Sequence, residues 1–144
     1  MLLKVVAYIT READHGGELL VFRHPHHIKT PIQVPQGTAE GGESVLNSLW
    51  RELEEETGRS DFTLTGQIAQ VPFYADWRDE WQERNVFHLS APTGTPHTWT
   101  YVVTAGHSDK GLCFEFFWLP LTKAKEKLHW SQNQWLHLIE AQAP

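Results

Sequence analysis

The stretch from Gly37 to Arg59 constrains the chain more than any other, because a glycine-rich loop runs there directly into an acidic helix. Glycine adopts positive φ readily and lets a backbone carbonyl approach a ligand closely, and this loop contains three: Gly37, Gly41 and Gly42. The helix is predicted to begin near Ser44, whose hydroxyl can accept from free N–H groups, and to end at Gly58. Apolar residues recur there at three- and four-residue spacing, which predicts one buried face: Val45, Leu46, Leu49, Trp50 and Leu53.

Three glutamates near the end of this helix are predicted to share one face. At about 100° per residue, Glu52, Glu55 and Glu56 fall within an arc of about 100° beside the apolar stripe, whereas Glu54 points away. Carboxylates at this spacing repel one another, and the helix dipole disfavours negative charge in the last turns. A hard divalent cation bound by oxygen ligands would explain the cluster. A solvated acidic face is the alternative, but the adjoining glycine loop and the position beside the buried stripe favour the metal site.

The spacing of these residues resembles the signature of the Nudix hydrolases. Gly37 is followed after five residues by Glu43, and after seven more by the run Arg51-Glu52-Leu53-x-Glu55-Glu56-x-Gly58. Arg59 departs from the pattern, because the family usually has an aliphatic residue there, and this affects packing after the helix rather than metal chemistry. The resemblance implies an α/β fold, a Nudix-like α/β/α sandwich with a mixed β-sheet, formed by residues 1–144 as a single domain.

The resemblance also implies an activity and a role for each residue of the motif. Nudix enzymes hydrolyse a diphosphate linked to another moiety, with Mg²⁺ or Mn²⁺ as the cofactor. The implied metal ligands are the backbone carbonyl of Gln36 and the carboxylates of Glu52, Glu55 and Glu56. The implied catalytic residues are Arg51, Glu52 and Glu55, of which Glu55 or Glu52 is the candidate base for the attacking water. The residues with an implied structural role are Gly37, Gly58 and Glu43, the last through an ion pair with Arg51 that holds the loop on the helix.

A fourth acidic ligand is expected downstream, since an acid there often completes the metal site in Nudix enzymes. Glu115 is the candidate, and it lies in an otherwise apolar run from Leu112 to Leu119. A carboxylate buried there without a partner would be costly. Asp109 and Glu83 are the alternative ligands, and a structural ion pair is the alternative role of Glu115.

Candidate substrate-binding residues lie on both sides of the motif. Tyr74 to Arg84 is dense in aromatic and charged residues and is predicted to form a long hairpin or loop at the rim of the site, where specificity commonly resides. The candidates for stacking on a base are Tyr74, Trp77 and Trp81, with packing in the domain or at a dimer contact as the alternative. Arg23 is the candidate for a phosphate contact, with an ordinary surface role as the alternative.

Outside the motif, β-branched and apolar runs predict strands and the C-terminal segment predicts helices. The predicted strands are Leu2–Thr10, Glu18–Arg23, Phe62–Val71, Asn85–Ser90, Thr98–Thr104 and Leu112–Leu119. The first two flank the turn Asp14-His15-Gly16-Gly17 and are predicted to form a hairpin. The predicted helices are Leu121–His129 and Gln132–Ala141. Strands and helices mixed in this way fit a layered α/β/α domain.

The composition of the chain indicates which kinds of partner and which cellular compartment to expect. The net charge of −6 argues against duplex nucleic acid as a partner, because a protein that grips the phosphate backbone is usually basic. The single cysteine, Cys113, excludes an internal disulfide, fits a reducing compartment and is interpreted as a core residue. No run approaches the about 20 apolar residues of a membrane span, and the start does not resemble a signal peptide. A cytoplasmic protein is expected, and exposed aromatic residues leave a homodimer open.

The predicted function is divalent-metal-dependent hydrolysis of a diphosphate linkage in a nucleoside diphosphate derivative by an activated water. Dinucleoside polyphosphates and RNA 5′ ends are alternative substrates. The tripeptide Pro35-Gln36-Gly37 resembles the entry to the motif in Nudix enzymes that act on nucleoside polyphosphates and RNA 5′ ends. A third possibility is a Nudix-type ligand-binding module without catalysis. Erosion of the motif would mark such a module, yet every acidic and basic position of the motif is present.

Overall fold

Seven strands in the described part of the chain form one sheet, and helices cover both of its faces. The structure is a computed structural model that describes residues 1–106 and 109–140. The strands are β1 (Leu2–Ala13), β2 (Gly16–Arg23), β3 (Gln36–Thr38), β4 (Thr63–Ala75), β5 (Glu80–Ser90), β6 (Trp99–Val102) and β7 (Cys113–Pro120). The α-helices are α1 (Val45–Thr57), α2 (Leu121–Lys127) and α3 (Leu136–Glu140).

The order of the strands opens a gap at one end of the sheet. The order is β4-β5-β1-β2-β7-β6, with β1 and β5 parallel and the other pairs antiparallel. β1 pairs with β2 only through Thr10–Ala13, and its first half pairs with β3 through Lys4–Val6. The segment leading into β3 therefore lies between β1 and β2, where Gln33 and Phe22 exchange backbone hydrogen bonds. This insertion places β3 at the end of the sheet, directly ahead of the glycine-rich loop.

Two apolar clusters separate the sheet from its helices and confirm the α/β/α sandwich. Alternation along β1 directs Val5, Ala7 and Ile9 into one cluster and Val6 and Tyr8 into the other. The first cluster contains Leu49 and Leu53 of α1, while the second contains Ala124 of α2 and Leu136 and Ile139 of α3. The sheet is thus buried on both faces, with α1 on one side and the two C-terminal helices on the other.

Helix α1 begins and ends as the sequence predicts. The Ser44 hydroxyl accepts a hydrogen bond from the Asn47 N–H at 3.1 Å, which satisfies one of the free donors of the first turn. Gly58 ends the helix in the left-handed conformation at φ 74°. A Cβ at Gly58 would also lie 2.5 Å from Cε1 of Tyr101 in β6, so both backbone conformation and packing require glycine there.

Several boundaries differ from the predictions. β4 extends to Ala75, a 3₁₀ turn covers Asp76–Arg78, and β5 starts at Glu80, so the predicted rim segment is a tight hairpin in which Arg84 is a fully buried strand residue. β6 is shorter than predicted, α2 ends at Lys127, and α3 begins only at Leu136, while the predicted end at Ala141 lies outside the described residues. Cys113 is half-buried rather than a core residue. No helix in the described ranges has both the length and the apolarity to cross a bilayer.

Candidate active site

A cavity of about 650 Å³ opens at the end of the sheet where β1 and β2 diverge. Helix α1 contributes Glu52, Glu55 and Glu56 to its lining, so the structure brings together the three acids predicted to bind metal. β1 contributes Lys4 and β3 contributes Gln36. Because the helix packs on one face of the sheet and the cavity lies at the sheet end, the carboxylates face the open space rather than bulk solvent on the helix exterior.

Glu56 is the most buried of the three acids, at 3% exposed. Its carboxylate accepts a hydrogen bond from the Gln36 N–H at 3.0 Å. Burial raises the pKa of Glu56 well above its ordinary value, and the charges of Glu52, Asp109 and Glu55 raise it further, against the lowering effect of that hydrogen bond. The N–H and C=O of a strand residue point to the same side, so the Gln36 carbonyl also faces α1 rather than β1.

Glu52 lies directly over Gly37. A Cβ at Gly37 would come within 1.9 Å of Glu52 Cδ, so the carboxylate occupies the space that any other residue would fill. Gly37 does not have positive φ, which corrects the expectation that its role is conformational, whereas Gly42 does adopt it at 81°. Burial is the largest cause of the raised pKa of Glu52, which the neighbouring Arg51 guanidinium partly opposes.

Arg51 joins the glycine-rich loop to the acidic helix. Its Nε and Nη2 donate to the two oxygens of Glu43 at 2.8 and 2.9 Å, and Nη2 also donates to the Thr38 carbonyl at 2.9 Å. Its Nη1 donates to Glu52 at 3.0 Å and to Glu55 at 3.1 Å. Hydrogen bonds from Arg51 lower the pKa of Glu43 to about 2. The expected pair of Glu43 with Arg51 is present, and the same guanidinium also orients two of the acids.

Two of the predicted aromatic residues lie away from the cavity and one lines it. Trp77 lines the cavity together with Trp130, whose ring meets it edge-on at 5.8 Å between centroids. Tyr74 and Trp81 instead contact each other, with centroids 5.3 Å apart, and neither lines the cavity. Trp130 was not among the sequence candidates, because it falls between the two predicted C-terminal helices and no pattern marks it.

Comparison with known proteins decides the family. The family model described as the NUDIX domain matches residues 2–139. The chain belongs to the Nudix family. As a Nudix pyrophosphohydrolase it is an enzyme that acts on acid anhydrides. We call the stretch Gly37 to Arg59, whose spacing resembles the family signature, the Nudix box. The comparison with curated proteins finds no match.

Solved structures of similar proteins agree with this Nudix fold. An Ap4A hydrolase of C. elegans, solved as a binary complex, is 16% identical with a TM-score of 0.70, covering 98% of this chain and 96% of that one. The dihydroneopterin triphosphate pyrophosphohydrolase of E. coli gives the same four values. The NUDIX domain of Shewanella oneidensis NrtR, solved with ADP ribose, is 18% identical with a TM-score of 0.68, covering 98% and 87%. At such identities the likeness concerns the fold alone.

The structure separates Glu115 from the Nudix box acids. Glu115 alternates along β7 with Phe114 and Phe116, which pack towards α1, so its side chain lies on the opposite face of the sheet. There it pairs with Arg23, directly across the strands β2 and β7, with Arg23 Nε donating at 2.6 Å. Neither residue lines the cavity, which corrects the expectation of a metal ligand and of a phosphate contact. Their arrangement is the structural ion pair that the sequence left as the alternative.

Of the two rival acids, Asp109 is the one that the fold brings to the cavity. It lines the cavity, and its charge contributes to the raised pKa of Glu56. In the same loop, a Cβ at Gly106 would lie 3.7 Å from a carboxylate oxygen of Glu55. Glu83 instead accepts from Gln70 at 2.9 Å and does not line the cavity.

The donor set fits a divalent metal of the kind that Nudix hydrolases generally use. It consists of three carboxylates on adjoining turns of α1, a backbone carbonyl facing them, and a fourth acid from the loop before β7. These are hard oxygen donors. Within residues 1–106 and 109–140, no three acidic, histidine or cysteine side chains converge on a single point suitable for a metal as they stand, since Glu52 and Glu55 are turned towards Arg51 and Glu56 towards Gln36.

Proposed function

We propose that this Nudix enzyme hydrolyses a diphosphate linkage in a nucleoside diphosphate derivative, with Mg²⁺ or Mn²⁺ as cofactor and residues 1–144 acting as one domain. The observation that carries the proposal is the composition of one cavity. Its acids come from α1, on one face of the sheet, and its aromatic residues Trp77 and Trp130 follow β4 and α2 at the other face. Carboxylates that can hold a cation and rings that can stack on a base thus share one space, as a nucleotide requires.

The positions of the residues support the following roles. Glu52, Glu55, Glu56 and the Gln36 carbonyl would hold the metal, with Asp109 as a further ligand. A divalent cation supplies the positive charge that screens the phosphates and acidifies a water. Arg51 orients Glu52 and Glu55 through its Nη1 hydrogen bonds.

Glu52 is our candidate for the base that accepts the proton from water, with Glu55 as the alternative. Its carboxylate lines the cavity over Gly37 and is oriented by Arg51, which is the placement that a general base requires. A Glu52→Gln variant that lowers kcat far more than it weakens metal binding would support this role, and the same result for Glu55→Gln alone would assign the base to Glu55 instead.

The experiment is a substrate panel with either metal. The panel contains nucleoside triphosphates, nucleotide sugars, dinucleoside polyphosphates and a 5′-triphosphorylated RNA, with products followed by ³¹P NMR in ¹⁸O-labelled water to identify the attacked phosphorus. Glu56→Gln should lower kcat/KM by about 100-fold or more, since changing even the residues around the metal ligands costs about 10- to 100-fold. Glu54→Gln is the matched control, because Glu54 is exposed on the same helix and points away from the cavity.

The main competing function is a ligand-binding module without catalysis. An intact wild-type protein that binds nucleotides at this cavity but turns over no member of the panel with either metal would favour the module and refute the proposal. A homodimer and a cytoplasmic location stay predictions from the sequence.

A further inference from the structure

Two cations sit beside the acids without carboxylate partners of their own. Lys4 is half-buried and its ammonium donates to the Thr38 hydroxyl at 2.7 Å, while Arg84 is fully buried. Among the described residues neither forms an ion pair with a carboxylate. A buried charge without a counter-charge is costly for folding. Ion pairing therefore does not explain these two cations.

The surroundings of Arg84 point towards the cavity. Its Nη1 donates to the Gln36 side chain at 3.0 Å and to the Ser131 carbonyl at 3.1 Å, and its Nε donates to Gln82 at 3.1 Å. All three partners line the cavity. Its Nη2 is buried and finds no hydrogen-bond acceptor in residues 1–106 and 109–140, and the guanidinium lies 4.1 Å from the centroid of the Phe73 ring.

Strand β3 joins these cations to the Nudix box acids. The Gln36 backbone donates to Glu56 while its side chain accepts from Arg84. The Thr38 hydroxyl accepts from Lys4, and its carbonyl accepts from the Arg51 guanidinium of α1. The short strand β3 thus lies between the carboxylate wall, which is formed by Glu52, Glu55 and Glu56, and the two cations. Arg78 is a third, more exposed cation that lines the cavity beside Trp77.

We propose that Lys4 and Arg78, which line the cavity, form an anion subsite that holds a phosphate beyond the scissile diphosphate, with Arg84 buried behind the lining residues Gln36, Gln82 and Ser131. The inference rests on the proposed function, because it assigns the scissile pair to the metal and the carboxylate wall. Cations that line the same cavity as those carboxylates and the two tryptophans match further negative charge in the chain that links the scissile bond to the base. The favoured substrate class is then a nucleoside with three or more consecutive phosphates rather than a nucleotide sugar, which has only two.

Binding of inorganic triphosphate tests the subsite without turnover. Isothermal titration calorimetry in EDTA isolates the contribution of the chain's own cations. Lys4→Met should weaken binding by about tenfold or more, the effect of losing one hydrogen bond to a charged group. Lys123→Met is the matched control, because Lys123 is exposed on α2 and does not line the cavity, and it should stay within about twofold of wild type. Equal affinities of wild type and Lys4→Met would overturn the proposal.

Thermal unfolding without ligand separates a binding role from a structural one. Lys4→Met removes a half-buried charge and keeps most of the side-chain volume, so its Tm should equal or exceed that of wild type. Lys4→Arg should restore triphosphate binding, because it restores the charge. A Tm that falls in Lys4→Met, together with failure of Lys4→Arg to restore binding, would assign Lys4 to the fold and overturn the proposal.

Kinetics then test the substrate class. Wild type should have a higher kcat/KM for ATP than for ADP-ribose, and Lys4→Met should lower the ratio of the two about tenfold. A ratio that Lys4→Met leaves unchanged contradicts the subsite even if both compounds are hydrolysed. Conversely, a protein that binds triphosphate through Lys4 but hydrolyses no diphosphate compound supports the subsite and refutes the proposed function, so the two failures are distinguishable.

Discussion

Replacing Gly37 by alanine tests whether the position of the Glu52 carboxylate determines activity. The backbone at Gly37 does not have positive φ, so alanine introduces no conformational strain there. The added Cβ would lie 1.9 Å from Glu52 Cδ and 2.3 Å from Cγ. To restore an ordinary separation of 3.4 Å from the Cβ, Cδ has to move by about 1.5 Å, the difference between 3.4 and 1.9. The substitution therefore acts on Glu52 and on little else.

The magnitude of each effect follows from this displacement. A misplacement of about 1 Å in a catalytic constellation can cost about 100-fold, so kcat/KM should fall by about 100-fold or more. The cost in stability should be smaller, because a glutamate side chain can rotate away from the new methyl group. The move breaks the 3.0 Å hydrogen bond from Arg51 Nη1, and we expect a loss of about 1–2 kcal/mol in the free energy of unfolding.

Steady-state kinetics and urea denaturation measure the two effects, with Gly41→Ala as the matched control. Gly41 lies in the same loop without positive φ, and a Cβ there would meet nothing within 4 Å. In a Glu52→Ala background the clash is absent, so Gly37→Ala should cost almost no stability there, and the coupling between the two sites should account for the single-mutant loss. Wild-type activity in Gly37→Ala, or an equal stability cost in both backgrounds, would refute the reasoning.

Three further outcomes are expected. Burial raises the pKa of Glu56, so its contribution to stability is fully present below the unfolded pKa of about 4.3 and is lost as pH rises through the folded value. Urea denaturation in EDTA at pH 5 and at pH 8 measures this loss. The free energy of unfolding should fall more between the two pH values in wild type than in Glu56→Gln, and an equal fall in both would contradict this account. Trp130→Leu should raise KM for a nucleotide by about fivefold or more through lost stacking, and Trp81→Leu should not, because only the first residue lines the cavity. Glu115→Gln should leave kcat/KM and metal affinity within about twofold of wild type, whereas Asp109→Asn should lower both, and the reverse order would restore Glu115 as a ligand.

The parts of the site that lie within one helix and its loop could be predicted from the sequence. Ser44 and Gly58 mark the ends of α1 by local hydrogen bonding and backbone conformation, which depend on neighbouring residues only. The common face of the three acids follows from helical periodicity alone. The reason for Gly37 could not be predicted in the same way, because Glu52 lies on it through tertiary packing.

The remainder of the site depends on the order and register of strands, which local patterns do not contain. β7 is apolar on both faces, so alternation alone could not say which side of the sheet Glu115 occupies. Its pairing with Arg23 arises from the register of β2 against β7. Lys4, Arg78 and Trp130 come from three distant segments and line one cavity only because the strands around β1 all end there.

The carboxylates and the cations at this cavity are each unfavourable on their own. Glu52, Glu55 and Glu56 repel one another, and Arg51 compensates only part of their charge. Lys4 and Arg84, on the other side of β3, have the opposite problem. They are wholly or partly buried without a carboxylate partner among the described residues, and this disfavours their charged forms. A dication bound with a polyphosphate resolves both, because the metal neutralises the acids and the additional phosphate neutralises the cations. Each component then improves the site for the other, and by linkage the coupling is reciprocal: polyphosphate should strengthen metal binding as much as metal strengthens polyphosphate binding.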